Sequence, residues 1–208
     1  MANAPTPTSG LLITPIGLLS FPHLFVPQPR LNNPEPVYQA SLIIPPEGQK
    51  TAEYTALKNA ALEACKTKFG SRMNDPAFVG RLRSPFRDAG EKSNLAGYEP
   101  GHVFLNCWSK FPPGVVGPQR QQMLKEDVFA GQFARFSVNP YAYDQLGNVG
   151  VAFGLNNVQI TKVSGPEVKR LDNRRSAEES FGDLPVENGD GTNETAPRPT
   201  APTSSNPF

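Results

Sequence analysis

Apolar and polar positions alternate with period two in three stretches of this chain, and one further stretch follows a helical period. From Phe133 to Ile160 the sequence reads FARFSVNPYAYDQLGNVGVAFGLNNVQI. Alternation on both sides of Asp144-Gln145-Leu146-Gly147-Asn148 predicts two strands joined by a turn. On the first of them Ala134, Phe136 and Val138 form an apolar face. Phe133, Arg135, Ser137, Asn139, Tyr141 and Tyr143 share the opposite face, provided that Pro140 adds no bulge. Val37–Ile44 predicts another strand, with Tyr38, Ala40, Leu42 and Ile44 on one side. Gly101–Phe111 alternates as well: Val103, Leu105 and Cys107 face one way, and His102, Phe104, Asn106, Trp108 and Lys110 the other.

Thr51–Phe69 carries the helical pattern. Tyr54, Leu57, Ala61, Ala64 and Cys65 fall at helical spacing, Thr51 is placed to cap the start, and Gly70 is placed to stop the end. Leu11–Phe21 predicts a first strand. Phe21–Pro36 contains Pro22, Pro27, Pro29, Pro34 and Pro36 and predicts an extended loop or an edge segment, because proline has no N–H for a ladder. Ser71–Pro100 and Pro112–Pro118 read as loops. With 23 Pro, 18 Gly and a hydrophobic fraction of 38%, the composition favours short strands and long loops over helical bundles. Residues 1–10 and Ser176–Phe208 are too poor in large apolar side chains to fold alone. The expected organisation is one mostly β domain over residues 11–165, a disordered N-terminus at 1–10, and a basic linker followed by an acidic, Pro-rich flexible tail over 166–208.

The net charge of +1 conceals a division. Residues 1–175 hold 19 Lys/Arg against 13 Asp/Glu, whereas residues 176–208 hold only Arg198 against six acids. A basic body with an acidic tail suits an anionic ligand and a tail that competes for the same surface; a tail that merely keeps the chain soluble is the plainer reading. Cys65 and Cys107 belong to no CxxC or Cys/His cluster, which suggests free, buried thiols in a reducing compartment, a single disulfide being the alternative. Leu11–Phe25 is interrupted by Pro15, Gly17 and Pro22 and reads as neither a signal peptide nor a membrane span, so the cytoplasm is the expected location.

The faces that point away from the core mix aromatic rings with cations. Trp108, Tyr141 and Tyr143 are candidate stacking platforms, Lys110 and Arg135 lie on the same two faces, and Arg81, Arg83 and Arg87 join them from the basic segment Ser71–Pro100. Unpaired nucleic acid needs such π-surfaces for its bases and such charge for its backbone. Phe104, Phe136 and Phe153 read as structural. A virion or tail structural β-protein would carry the same surface as a protein interface, where Tyr, Trp and Arg are also enriched. Catalysis finds little support. His23 and His102 are the only histidines, and neither has a second ligand at metal-binding spacing. Alternation sets His102 and Cys107 on opposite faces, and Asp88 and Glu91 lie in a polar loop flanked by Arg87 and Lys92. No phosphate loop or GxGxxG fingerprint occurs, so no metal, cofactor or catalytic residue is expected.

Several blocks, in one order, resemble a phage family of single-stranded-DNA-binding replication proteins related to OB-fold proteins. They are SFPHLFVPQ (Ser20–Gln28), YQASLIIP (Tyr38–Pro45), SPFRDAGEK (Ser84–Lys92), GYEPGHVFLNCWSK (Gly97–Lys110), PPGVVG (Pro112–Gly117), the run Asp127–Ile160, and AEESFGD (Ala177–Asp183). The resemblance implies an OB-like β-barrel and sequence-tolerant binding of single-stranded DNA in phage replication or recombination, with RNA left open. The chain ends Asn206-Pro207-Phe208, similar to the Pro-Phe terminus with which bacterial single-strand-binding proteins dock partner enzymes. The acids here lie upstream of Pro207 and Phe208 and not beside them, so docking of replication or recombination proteins and a chance terminal Phe both stay open.

Overall fold

The computed structural model describes residues 12–30, 33–145 and 147–171, all of which belong to one unit within Met1–Arg174. Its elements in chain order are β1 (Leu12–Ile13), β2 (Gly17–Arg30), β3 (Asn33–Ile44), α1 (Ala52–Phe69), α2 (Pro76–Val79), β4 (Arg87–Asp88), β5 (Val103–Ser109), β6 (Gly114–Val116), β7 (Phe133–Gln145) and β8 (Asn148–Lys162). Antiparallel pairing joins β2 to β3, β3 to β5 and β7 to β8. β5 runs parallel to β8, and the start of β7 pairs back onto the start of β2. These pairings close a five-strand ring, β2-β3-β5-β8-β7, which is the OB-like barrel that the sequence leads one to expect. Strands β1, β4 and β6 extend it by pairing with β7, β5 and β8 respectively.

The period-two pattern fills the ring. Ala134, Phe136 and Val138 of β7 are wholly buried, as are Leu42 and Ile44 of β3, Leu105 of β5 and Phe153 of β8. The register of β7 on β8 is unbroken from Val138 to Gln145, so Pro140 adds no bulge and Tyr141 and Tyr143 keep the outward parity. A second, smaller cluster forms outside the ring, where Ile43, Phe104, Ala89 and Tyr98 pack together. Phe104, Phe136 and Phe153 are therefore all structural, as expected.

Helix α1 begins and ends where its caps dictate. The Thr51 hydroxyl accepts from the Tyr54 N–H, Gly70 takes φ +53°, and its N–H donates to the Lys66 carbonyl. Tyr54, Leu57, Ala61, Cys65 and Phe69 bury one stripe, and the helix packs on β7, β8 and β1. Both cysteines are free and buried.

Elsewhere the chain is more regular than its sequence suggests. Phe21–Pro36 is not a loop: β2 and β3 run through most of it as a long hairpin. Along this stretch, among the described residues, β2 pairs only with β3, and register shifts fall at Ser20/His23, His23/Gln28 and Gln28/Arg30. A proline tolerates an edge with bulges, so Pro22, Pro27 and Pro29 fit without breaking a two-sided ladder. The Pro112–Pro118 segment contains β6, three residues aligned parallel to β8. Within Ser71–Pro100, Asp75 caps α2 through the Ala77 N–H, and Asp88 caps a short 3₁₀ turn, Ala89–Lys92, through the Gly90 N–H. Gln132 is wholly buried and satisfied: its amide donates to the carbonyls of Asp127 and Val163 and accepts from the Phe129 N–H.

Candidate nucleic-acid interface

The outward faces of β3, β5 and β7 meet along an open groove of about 1060 Å³. β5 contributes Asn106 and Trp108, with Lys110 just past its end; β7 contributes Tyr141 and Tyr143; β3 contributes Gln39 and Ser41. β8 lies between the two aromatic strands and carries small residues beside the rings. Trp108 is in register with Gly154, Tyr141 with Ala152 and Tyr143 with Gly150. Trp108 and Tyr141 stand edge to face, ring centroids 5.9 Å apart at 89°, and both are half-buried. An aromatic pair held this way is rigid. On the floor, the Ser41 hydroxyl donates to the Asn106 side-chain oxygen at 2.7 Å.

Among the described residues four cations line the same groove: Arg83, Arg87, Lys92 and Lys110. Arg83 is held by its backbone, whose N–H donates to the Val149 carbonyl and whose carbonyl accepts from the Val151 N–H. That clamp needs Gly150. A Cβ there would lie 2.8 Å from the Arg83 carbonyl oxygen and 2.7 Å from the Tyr143 hydroxyl. Gly150 is thus a site of close approach, whereas Gly147, with φ +81° and nothing within 4 Å, is the hairpin's turn glycine. Two of the cations already face carboxylates: Lys110 pairs with Glu35 at 2.9 Å, and Arg87 pairs with Glu91. These pairs are about half exposed, so each is worth only about 0–1 kcal/mol and exchanges readily for a phosphate. Lys92 is half-buried, with its ammonium 4.5 Å from the Phe104 ring centroid and 5.1 Å from that of Tyr98. Burial lowers its pKa first and the Arg87 charge second, against a smaller opposing effect of Glu91.

The groove gathers Trp108, Lys110, Tyr141, Tyr143, Arg83 and Arg87 from the candidates named by sequence. Arg81 and Arg135 are exposed and do not line it. Arg135 has the outward parity of Tyr141 but sits six residues earlier, about 20 Å along the strand. There it donates to the Gln159 side chain, beside the loop that follows β6. Pro207 and Phe208 lie outside the described residues. Sequence reasoning missed Glu35 and Gln39, because nothing local shows that β3 will lie beside β5. Cys107 forms part of the groove floor, but full burial pushes its thiol up to about 12, so it stays protonated. Among the described residues no group of three or more His, Cys, Asp or Glu side chains could hold a metal ion, and no helix is long and apolar enough to cross a membrane.

Arg72 braces the hairpin tip from outside the groove. Its guanidinium donates to Asp144 at 3.0 Å and lies 4.1 Å from the Phe78 ring centroid, tying the hairpin tip to the segment after α1. Tyr143 and Gln145, on either side of Asp144, line the groove. Arg72→Ala is expected to weaken a single strand's binding about twofold to fivefold, the scale of one surface ion pair. The slope of affinity against salt should not change, since Arg72 would neutralise no phosphate. Titrations at several ionic strengths check both points, and a reduced slope would place Arg72 on the ligand itself.

A five-strand barrel with an open groove of rings and cations across its third strand is the architecture of an oligonucleotide-binding barrel. The chain belongs to a family described as Enterobacter phage Enc34, ssDNA-binding protein, which matches it over residues 12–192. Among solved structures it is similar to the single-stranded DNA-binding protein from bacteriophage Enc34 in complex with ssDNA. That match has a TM-score of 0.62 at 17% identity, covering 76% of this chain and 89% of that one. It is also similar to a second structure of the single-stranded DNA-binding protein from bacteriophage Enc34, at a TM-score of 0.59 and 15% identity, covering 84% of this chain and 91% of that one. A third likeness is to gp2.5, a single-stranded DNA binding protein encoded by bacteriophage T7, at 0.50 and 15%, covering 80% and 97%. No curated protein matches the chain.

Proposed function

We propose that this protein binds single-stranded DNA, with little sequence preference, during phage DNA replication or recombination in the host cytoplasm. Membership of the Enc34 ssDNA-binding family supports the ligand. The observation that carries the site is that Trp108, Tyr141 and Tyr143 line one groove with Arg83, Arg87 and Lys110. Bases stack on the rings while phosphates displace Glu35 and Glu91 from their cations. The action is binding and release with no bond broken. The binding domain spans residues 11–165, and the acidic stretch 176–208 competes with DNA for the basic body through its charge. Its terminal Pro207-Phe208 is a candidate handle for replication proteins.

Electrophoretic shift of a labelled oligo(dT) at low salt tests the ligand. With four groove cations engaged, log K against log salt should fall with a slope of about −3. Unshifted short single strands would instead favour the structural-protein reading. Deleting Ser176–Phe208 should tighten binding at low salt and leave it nearly unchanged at high salt, where the tethered charge is screened. Equal or weaker binding at low salt would remove the competing role of the tail.

A further inference from the structure

Phe21 is placed at odds with its own element. It lies in β2 at the register break between Ser20 and His23, with φ +47°, a conformation that a bulky non-glycine residue adopts only when its surroundings force it. Nearby Ser20 and Leu24 are buried, yet Phe21 is 46% exposed. Folding alone would favour a glycine or asparagine at this backbone angle and a smaller side chain at this exposure. A strained backbone that presents a bare ring to solvent points to a ligand.

What the ring touches says which ligand. Phe21 lines the end of the aromatic groove beyond Lys92, whose ammonium is 5.4 Å from the Phe21 ring centroid. It also lines a second cleft of about 530 Å³ on its other side. That cleft repeats the chemistry of the groove. Arg170 lies 4.3 Å from the ring centroid of Phe129, and Lys125 and His23 stand on the same walls. Among the described residues Glu126 is the one carboxylate on its walls.

Resting on the reading of the groove as a single-strand site, we propose that the second cleft continues the DNA track and that Phe21 is the stacking residue at the junction. The strand leaves the Trp108–Tyr141 pair, passes Arg87 and Lys92, stacks one base on Phe21, and lays its next phosphates beside Lys125 and Arg170. The ring's exposed face and the cation next to it supply the stacking and charge that one more nucleotide requires.

Oligo(dT) of about five and about twelve nucleotides separates the two clefts, since roughly five extended nucleotides fill a groove of this size, within the usual span of one OB barrel. Phe21→Ala should weaken binding of the longer strand about tenfold or more, change the shorter one by less than about threefold, and shrink the occluded length on poly(dT). Phe21→Tyr, which keeps a ring, should retain wild-type binding of both. Lys125→Gln with Arg170→Gln should flatten the salt slope for the twelve-nucleotide strand only. If Phe21→Ala and Phe21→Tyr both bind both lengths like wild type with an unchanged footprint, the continuation is wrong. Trp108→Ala measured alongside tells the two failures apart. If it weakens both lengths while the Phe21 variants do nothing, only the second cleft falls. If it too changes nothing, or if wild type binds neither strand, the groove falls with it. Thermal melting confirms that each variant is folded, and Phe21→Leu gives a folded, ringless substitute should the alanine variant melt early.

Discussion

Replacing Trp108 with alanine is expected to lower the affinity for single-stranded DNA about 5- to 150-fold, the equivalent of roughly 1–3 kcal/mol for one stacked base. The indole is half-buried beside Tyr141 on the outward face of β5, so its removal opens the platform without emptying the barrel core. The melting temperature should fall by only a few degrees, reflecting an edge-to-face pair worth about 0.5–1.5 kcal/mol beyond its buried area. Quenching of intrinsic fluorescence cannot follow a variant that lacks its single tryptophan, so anisotropy of a labelled oligonucleotide is the proper readout. Arg135→Ala is the matched control. It removes a cation of the same outward parity from outside the groove and should change affinity by less than about twofold. Equal losses for the two variants would mean that the ligand follows the whole face of β7 and not the groove.

The second large effect concerns a residue with no side chain. Gly150→Ala would set a Cβ 2.8 Å from the Arg83 carbonyl oxygen, and backbone cannot give way as a flexible side chain can. The two backbone hydrogen bonds between Arg83 and β8 should be lost, costing about 1–3 kcal/mol and lowering the melting temperature by about 2–4 °C per kcal/mol. Arg83 then leaves the groove wall, and DNA affinity falls with a salt slope shallower by about one phosphate contact. Gly147→Asn is the contrast. Nothing lies within 4 Å of that position and asparagine tolerates its positive φ, so both stability and binding should stay close to wild type. Calorimetry and a salt series on the two variants distinguish close approach from turn chemistry. A Gly150 variant that melts and binds like wild type would refute the clamp.

These examples show where the sequence is legible. The strands of the ring were readable because a barrel wall has one buried face, which writes period two into the chain, and α1 because its caps and stripe agree. The proline-rich half of the β2–β3 hairpin was ambiguous, since an edge strand and an extended loop make similar demands on composition. β6 was hidden because three residues cannot display a period. For the site, alternation gave the correct face for Tyr141, Tyr143 and Trp108 but says nothing about distance along a strand, which is why Arg135 shared their parity and not their groove. Gly150 and Gly147 look alike in sequence, and only the approach of Arg83 separates them. Phe21 had no local signal, because its strain and its two clefts arise from tertiary packing.

The way the ring closes bears on how the chain is made. Gly17 at the start of β2 waits for Ala134, roughly 120 residues later, before its second neighbour exists. At a synthesis rate of about 5–20 residues per second, the exposed margin of the nascent hairpin stays open for about 6–24 s. Beyond Leu18, among the described residues, β7 does not pair with β2, so that edge stays open in the finished barrel, and Pro22, Pro27 and Pro29 lie along it, where missing N–H groups blunt intermolecular strand addition. Their placement guards that lasting edge against strand addition from neighbouring chains, during synthesis and afterwards.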